Sequence, residues 1–151
     1  MTVPWIFARS ARPIFVDTSA WYAVVWRDDP HSDTAGPTWE RLLASPRPIV
    51  TSNHVVGESY TLIRARHGYQ RASAFLDRLD RTLRLMREHL SPEIETQAYS
   101  MLRQYRDHDF SFVDGTSFAF MRAHGITEAF AFDVHFAVAG FTRIPVDRPL
   151  D

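Results

Sequence analysis

The sequence predicts an α/β protein: a three-layer α/β/α sandwich whose mostly parallel central sheet is covered by helices. Three observations predict it. Strand-like and helix-like segments alternate from end to end, two apolar runs (14–16 and 129–132) each stop at an aspartate, and no internal repeat or linker interrupts the 151 residues. Such alternation gives parallel strands joined by helical crossovers. Ligands of these sheets bind outside the carboxyl ends of the strands, so an acid placed there faces the functional crevice.

Residues 1–12 carry Pro4, Trp5 and Arg9 without any period and are set apart as an N-terminal extension with no assigned role. Residues 13–151 suit a single domain in length. Ile14-Phe15-Val16 reads as a buried strand ending in Asp17, and Thr18 and Ser19 lead into a helix that Asp28-Asp29-Pro30 breaks. Ser32 or Asp33 caps the next helix, which carries Trp39, Leu42 and Leu43 at helical spacing and ends at Ser45-Pro46. A short strand, 49–51, precedes Ser52-Asn53, an N-cap for a helix through His67 that Gly68 stops. Val55, Ser59 and Leu62 share one face of that helix, and Glu58 lies with them, where a buried carboxylate is costly without a cation.

Residues 70–80 form another amphipathic helix, and 83–87 alternate like an edge strand. Ser91-Pro92-Glu93 marks a strong helix start, with serine at the cap, proline at the first helical position and acid in the first turn. Ser111-x-x-Asp114 resembles a capping box before an apolar run closed by Gly125. Ala129-Phe130-Ala131-Phe132 is a second buried strand ending in Asp133, and 141–146 is the last strand.

Composition narrows the chemistry. There is no cysteine, which removes disulfides, thiol nucleophiles and thiolate metal sites. Lysine is absent too, so all 17 basic residues are arginine and no mechanism can use a catalytic or phosphate-binding lysine. The net charge of −1 is unevenly spread: residues 64–106 hold nine arginines against five acids, and the rest of the chain holds eight against thirteen. An acidic region beside a guanidinium-rich surface suits a polyanion held next to metal ions. No apolar stretch reaches membrane-spanning length, so a soluble, cytoplasmic protein is expected.

Asp17, Glu58, Asp114 and Asp133 each have an ordinary use as a cap, turn residue or edge-of-face acid. Together they occupy two strand ends and two helix starts, positions that converge on one rim of a parallel sheet. Four crowded carboxylates cannot all ionise without a compensating cation, and all-oxygen ligation suits Mg2+ or Mn2+. The seven histidines show no ligand spacing; His135, two residues past Asp133, and His54 read as packing or surface residues. A carboxylate-held metal pair suits in-line displacement at a phosphodiester and requires no side-chain nucleophile.

The segments Ile14-Phe15-Val16-Asp17-Thr18-Ser19, Gly57-Glu58-Ser59, Ser111-Phe112-Val113-Asp114-Gly115-Thr116-Ser117-Phe118 and 125–133 together resemble the PIN-domain ribonucleases, most nearly the VapC-type toxins of type II toxin–antitoxin pairs. The likeness covers residues 13–146. It implies a PIN-like fold and a Mg2+-dependent endoribonuclease in which Asp17 and Asp114 hold the principal ion, Glu58 and Asp133 complete the pocket, and Ser19 and Ser117 orient carboxylates or phosphate. It also implies a homodimer and a VapB-like antitoxin whose C-terminal segment blocks the active-site groove, with Trp21, Tyr22 and Trp26 as candidates to form that groove. The alternatives are a non-catalytic PIN-fold binding module and a chromosomal PIN nuclease without an antitoxin. An aspartyl-phosphate protein is disfavoured, because such folds need a lysine and the phosphatase kind wants an aspartate where Ser19 stands.

Overall fold

A computed structural model describes residues 12–151. All of the proposed N-terminal extension except Arg12 lies outside the described residues. Five strands form one sheet in the order β3-β2-β1-β4-β5, every neighbouring pair parallel. They are β1 Ile14–Val16, β2 Ile49–Ser52, β3 Leu85–Glu88, β4 Glu128–Phe130 and β5 Thr142–Ile144. The helices between them are α1 Thr18–Val25, α2 Ser32–Ala44, α3 Asn53–His67, α4 Tyr69–Arg81, α5 Pro92–Gln104, α6 Phe112–Ala123 and α7 Val134–Val138. The chain steps outward from β1 to β3, then crosses to β4 and steps outward again. Right-handed crossovers therefore put α1–α4 on one face and α5–α7 on the other. The crevice where the direction reverses lies between β1 and β4, the place where open α/β sheets bind ligands.

The middle strands are buried along their whole length, as a sheet covered on both faces requires. The register aligns Val16 with Phe130, so β1 and β4 end together, and Asp17 N–H donates to Phe130 O (3.1 Å). Thr51 Oγ1 donates to Val16 O (2.9 Å), which ties the end of β1 to β2 as well. Trp21, named with Tyr22 and Trp26 as a groove candidate while core packing is the commoner use expected of at least two of the three, is fully buried, packed edge-on against Trp39 and Phe75. Its ring points inward, with the indole N–H 3.5 Å from Thr51 Oγ1 on β2; Tyr22 and Trp26 stay half-buried.

The caps follow the sequence closely. Ser52, Ser91 and Ser111 accept from the N–H groups of Val55, Ile94 and Asp114, and Gly68 (φ 89°) separates α3 from α4 in a conformation that only glycine adopts without strain. Gly115 answers a different need: a Cβ there would lie 2.8 Å from Leu102, so α5 and α6 approach closely because it has none. Four elements differ from expectation. Strand β3 runs 85–88 and not 83–87, since Leu83 is exposed and the pairing with β2 sets the register. Strand β4 begins at Glu128 and stops at Phe130, the helix α7 was not foreseen, and β5 ends before Pro145, which has no N–H for a ladder. On α3 the buried stripe is Val55, Ser59 and Ile63, with Leu62 and Glu58 half-buried at its edge.

Candidate metal centre

Asp17 is the N-cap of α1, directly beyond β1, and is 4 % exposed. Its Oδ2 accepts from Ser19 N (3.1 Å) and Ser19 Oγ (2.7 Å). Burial lifts its carboxyl to about 7 against the pull of those two bonds, and the charges of Asp114 and Asp133 push it the same way. Ser19 is the hub of the crevice: the same Oγ accepts from Phe132 N (2.9 Å) and Asp133 N (3.3 Å) beyond β4. One hydroxyl thereby spans the two strand ends.

Asp114 sits at the third position of α6 in a full capping box: Ser111 Oγ accepts from Asp114 N, and Asp114 Oδ2 accepts from Ser111 N (3.0 Å). Its capping role and its place in the crevice coexist, because the box occupies only Oδ2. That atom also accepts from His135 Nδ1 (2.9 Å). Burial raises the Asp114 carboxyl, and so does the charge of Asp133, while the Ser111 and His135 bonds hold it back. Asp133 is the N-cap of α7; its Oδ1 accepts from His135 N (2.9 Å) and lies 3.5 Å from His135 Nδ1. Burial works against the His135 imidazolium, but the bond to Asp114 and the charges of Asp133, Asp114 and Asp109 outweigh it and raise its pKa.

Asp114, Asp133 and His135 each offer a ligand atom within 4.8 Å of the other two. Glu58 approaches from α3. Burial raises its carboxyl, the nearby Thr18 hydroxyl offsets part of that without completing a hydrogen bond, and the charges of Asp114 and Asp133 add to the rise. All four predicted acids thus share one electrostatic neighbourhood. Asp114 and Asp133 form its tight pair, Asp17 joins through Ser19, and Glu58 stands at the wall of an apolar groove with Gly57, Thr61 and Val113. Ser117 is fully buried one turn beyond Asp114, and its hydroxyl has no partner; the same is true of Ser59 beside Glu58 and Thr18 beside Asp17. His54 lies along the groove, stacked on Phe112. His135 was undervalued from sequence: the signal was its place two residues past Asp133, but a five-residue helix leaves no period to show which way it points.

No arginine pairs with Asp17, Glu58, Asp114 or Asp133 among the described residues, although the chain holds 17. Raised carboxyls, orphaned hydroxyls and an oxygen-rich donor set fit a hard divalent cation. The PIN domain family model matches residues 14–142.

This chain belongs to the PIN domain family. It is 44 % identical, over 133 residues, to the 23S rRNA-specific endonuclease VapC20 of Mycobacterium tuberculosis, a match covering 87 % of this chain and 97 % of the relative, found in two strains. The crystal structure of M. tuberculosis VapC20, described as a sarcin–ricin loop cleaving toxin, superposes with a TM-score of 0.78 at 40 % identity, covering 87 % of this chain and 98 % of that one. PAE2754 of Pyrobaculum aerophilum, 15 % identical with a TM-score of 0.61 over 91 % of this chain and 93 % of its own, shares the PIN fold. The PIN assignment agrees with the all-parallel sheet and with acids at its switch point. No helix among the described residues is long and apolar enough to cross a membrane.

Proposed function

We propose that this PIN protein is a Mg2+-dependent endoribonuclease, able to use Mn2+, that cuts large-subunit ribosomal RNA as the toxin of a type II toxin–antitoxin pair. The observation that carries the reading is the acid cluster itself, in which Asp17, Glu58 and Asp114 are all raised and which His135 alone meets as a cationic group, with no guanidinium paired to it among the described residues. The identity to an rRNA-specific endonuclease supports the substrate. Asp17, Glu58, Asp114 and Asp133 would hold the cation, with His135 beside them. A divalent ion there supplies Lewis acidity, lowering the pKa of a water and neutralising charge that builds on the phosphoryl oxygens.

The protein's own contribution is placement. Ser19 fixes the Asp17 carboxylate relative to the Phe132–Asp133 backbone, and His135 Nδ1–H holds one oxygen of Asp114 in place. The orphaned Ser117 hydroxyl keeps a donor for a carboxylate or phosphate oxygen. Arginines of residues 64–106 grip the RNA backbone. We extend the proposal to a homodimer working in the cytoplasm with a VapB-like antitoxin as partner, and to one nuclease domain over 13–151 preceded by the 1–12 extension. The test is incubation of purified protein with ribosomes in Mg2+ or Mn2+, with primer extension to map new ends. A single cut that disappears with Asp17→Asn is expected. No cut in either metal would overturn the reading in favour of a binding module, and equal cutting by Asp17→Asn would overturn the acid-held cation as the source of the activity.

A further inference from the structure

Beside the acids lies a cleft of about 320 Å3 between α1, the α1–α2 loop, α3 and the β4–α7 junction, with Tyr22, His31, Arg66, Phe132 and Asp133 in its walls. Its volume falls in the range of small-ligand sites. The floor is a stacked pair: the His31 ring lies 4.4 Å from that of Phe132 at an interplanar angle of 10°. Phe132 is buried and His31 exposed, so one imidazole face rests on the core and the other is left open. Phe132 N–H donates to the Ser19 hydroxyl that in turn donates to Asp17, which holds the floor in register with the acid site.

On the opposite wall the Arg66 guanidinium stands 5.5 Å from the Tyr22 ring centroid. The Tyr22 hydroxyl is bonded to His67 Nε2 (2.5 Å), His67 stacks on Trp26 at 3.5 Å, and Arg71 lies 4.6 Å over Trp26. A run of three rings, Tyr22, His67 and Trp26, bracketed by the guanidinium groups of Arg66 and Arg71, therefore leads outward from the cleft across α1, α3 and α4. Arg64, Arg66, Arg71 and Arg78 make no ion pair among the described residues, whereas Arg81 and Arg87 nearby do. Unpaired guanidinium groups at the ends of a run of partly open rings suit a ligand that combines anionic charge with π faces, which is single-stranded nucleic acid. A duplex keeps its base faces hidden, and a peptide offers no regular anion.

We propose that this cleft is a nucleotide subsite flanking the scissile bond. One base stacks on the open face of His31, the adjoining phosphate meets Arg66, and the strand continues along Tyr22, Trp26 and Arg71. The proposal rests on the nuclease reading for the location of the bond that is cut. It requires the flanking nucleotide of a structured RNA to be splayed from its helix, the usual way in which proteins read RNA loops.

The test separates the subsite from the chemistry by measuring binding in EDTA. The probe is a single-stranded RNA of about ten nucleotides, within the site size of such grooves, carrying 2-aminopurine at successive positions. His31→Ala and Arg66→Met should each weaken binding about tenfold, and His31→Ala should abolish 2-aminopurine quenching at one position. His31→Phe should retain both the affinity and the quenching, and Arg41→Met, an equal loss of charge at an exposed position of α2, should change binding less than twofold. Equal binding by wild type, His31→Ala and Arg66→Met would overturn the proposal and leave the cleft to a protein partner. Equal loss with Arg41→Met would overturn it in favour of diffuse electrostatics. Wild type that binds in this pattern yet cleaves no RNA with Mg2+ would sink the nuclease reading and leave the subsite standing.

Discussion

Glu128 and Asp17 are each 4 % exposed, one where β4 begins and the other just past the end of its neighbour β1, yet their carboxyls move in opposite directions. Burial alone would raise both. At Glu128 it is outweighed by Arg148 and by Arg47 (Nη2 at 3.0 Å), so the carboxyl falls below its ordinary range, and Arg12 (Nη1 at 3.1 Å) is a third ion-pair partner. Arg47 is itself buried and also reaches Asp151 and the carbonyl of Arg12. This end of the sheet is a closed charge network that ties the first described residue to the last. At the other end Asp17 has hydroxyl and amide partners and further acids, and its carboxyl rises to about 7. The protein neutralises the buried acid at one end with its own arginines and supplies none at the other, where the proposed cation would take that part.

The most forceful way to break that comparison is to exchange the effects of the two acids. Asp17→Asn should lower RNA cleavage at least about a hundredfold, since even groups that only support metal ligands cost 10–100-fold. The same variant should melt at an equal or higher temperature than wild type at pH 8 without metal, because it removes an unpaired buried charge worth on the order of a few kcal/mol. Glu128→Gln should do the reverse. It strands the buried Arg47 and should cost about 3 kcal/mol in a urea melt, with kcat within twofold where the protein remains folded. Loss of chemistry at Glu128 or of stability at Asp17 would refute the contrast.

Acidity sharpens it further. Between pH 3.8 and about 7 the folded protein keeps on Asp17 a proton that the unfolded chain has lost, so stability falls as pH rises through that window. Glu58 and Asp114, also raised, act in the same direction, and so does His135, whose stabilising contribution is present below its ordinary pKa and lost as pH climbs through the raised one. His124, lowered by burial, opposes them as pH falls. Metal-free wild type should therefore melt higher at pH 5.5 than at pH 8, and Asp17→Asn should show a smaller difference. The smallest effect is expected from Ser19→Ala, which cuts the bridge from Asp17 to the Phe132–Asp133 backbone: about a tenfold loss of Mn2+ affinity by calorimetry, with the fold intact by circular dichroism.

The parts of the fold legible in the sequence are those specified locally. Ser91-Pro92 and Ser111-x-x-Asp114 carry their own caps, and Ile14–Val16 carries its own burial. Strand β4 starts one residue earlier and stops two residues earlier than expected; its start was missed because Glu128 is held by arginines 81 and 116 residues away, which no local pattern reveals. Its expected tail, Ala131-Phe132, leaves the sheet, and Phe132 N–H turns to Ser19. That the four acids lie near one another at one rim was legible, because strand ends and helix starts have fixed places in a parallel sheet. His135 and the His31–Phe132 floor were not, since they depend on the aim of a five-residue helix and of a loop.

Calorimetric titration of Mn2+ into wild type and Asp17→Asn at pH 6, run in two buffers of different ionisation enthalpy, reads affinity and proton release together. Asp17 is largely protonated at that pH if its carboxyl lies near 7. Wild type should bind Mn2+ and release about one proton more than Asp17→Asn, which should bind at least about tenfold more weakly. Equal affinity and equal proton release in the two proteins, or no Mn2+ binding by wild type, would contradict a cation held by these acids.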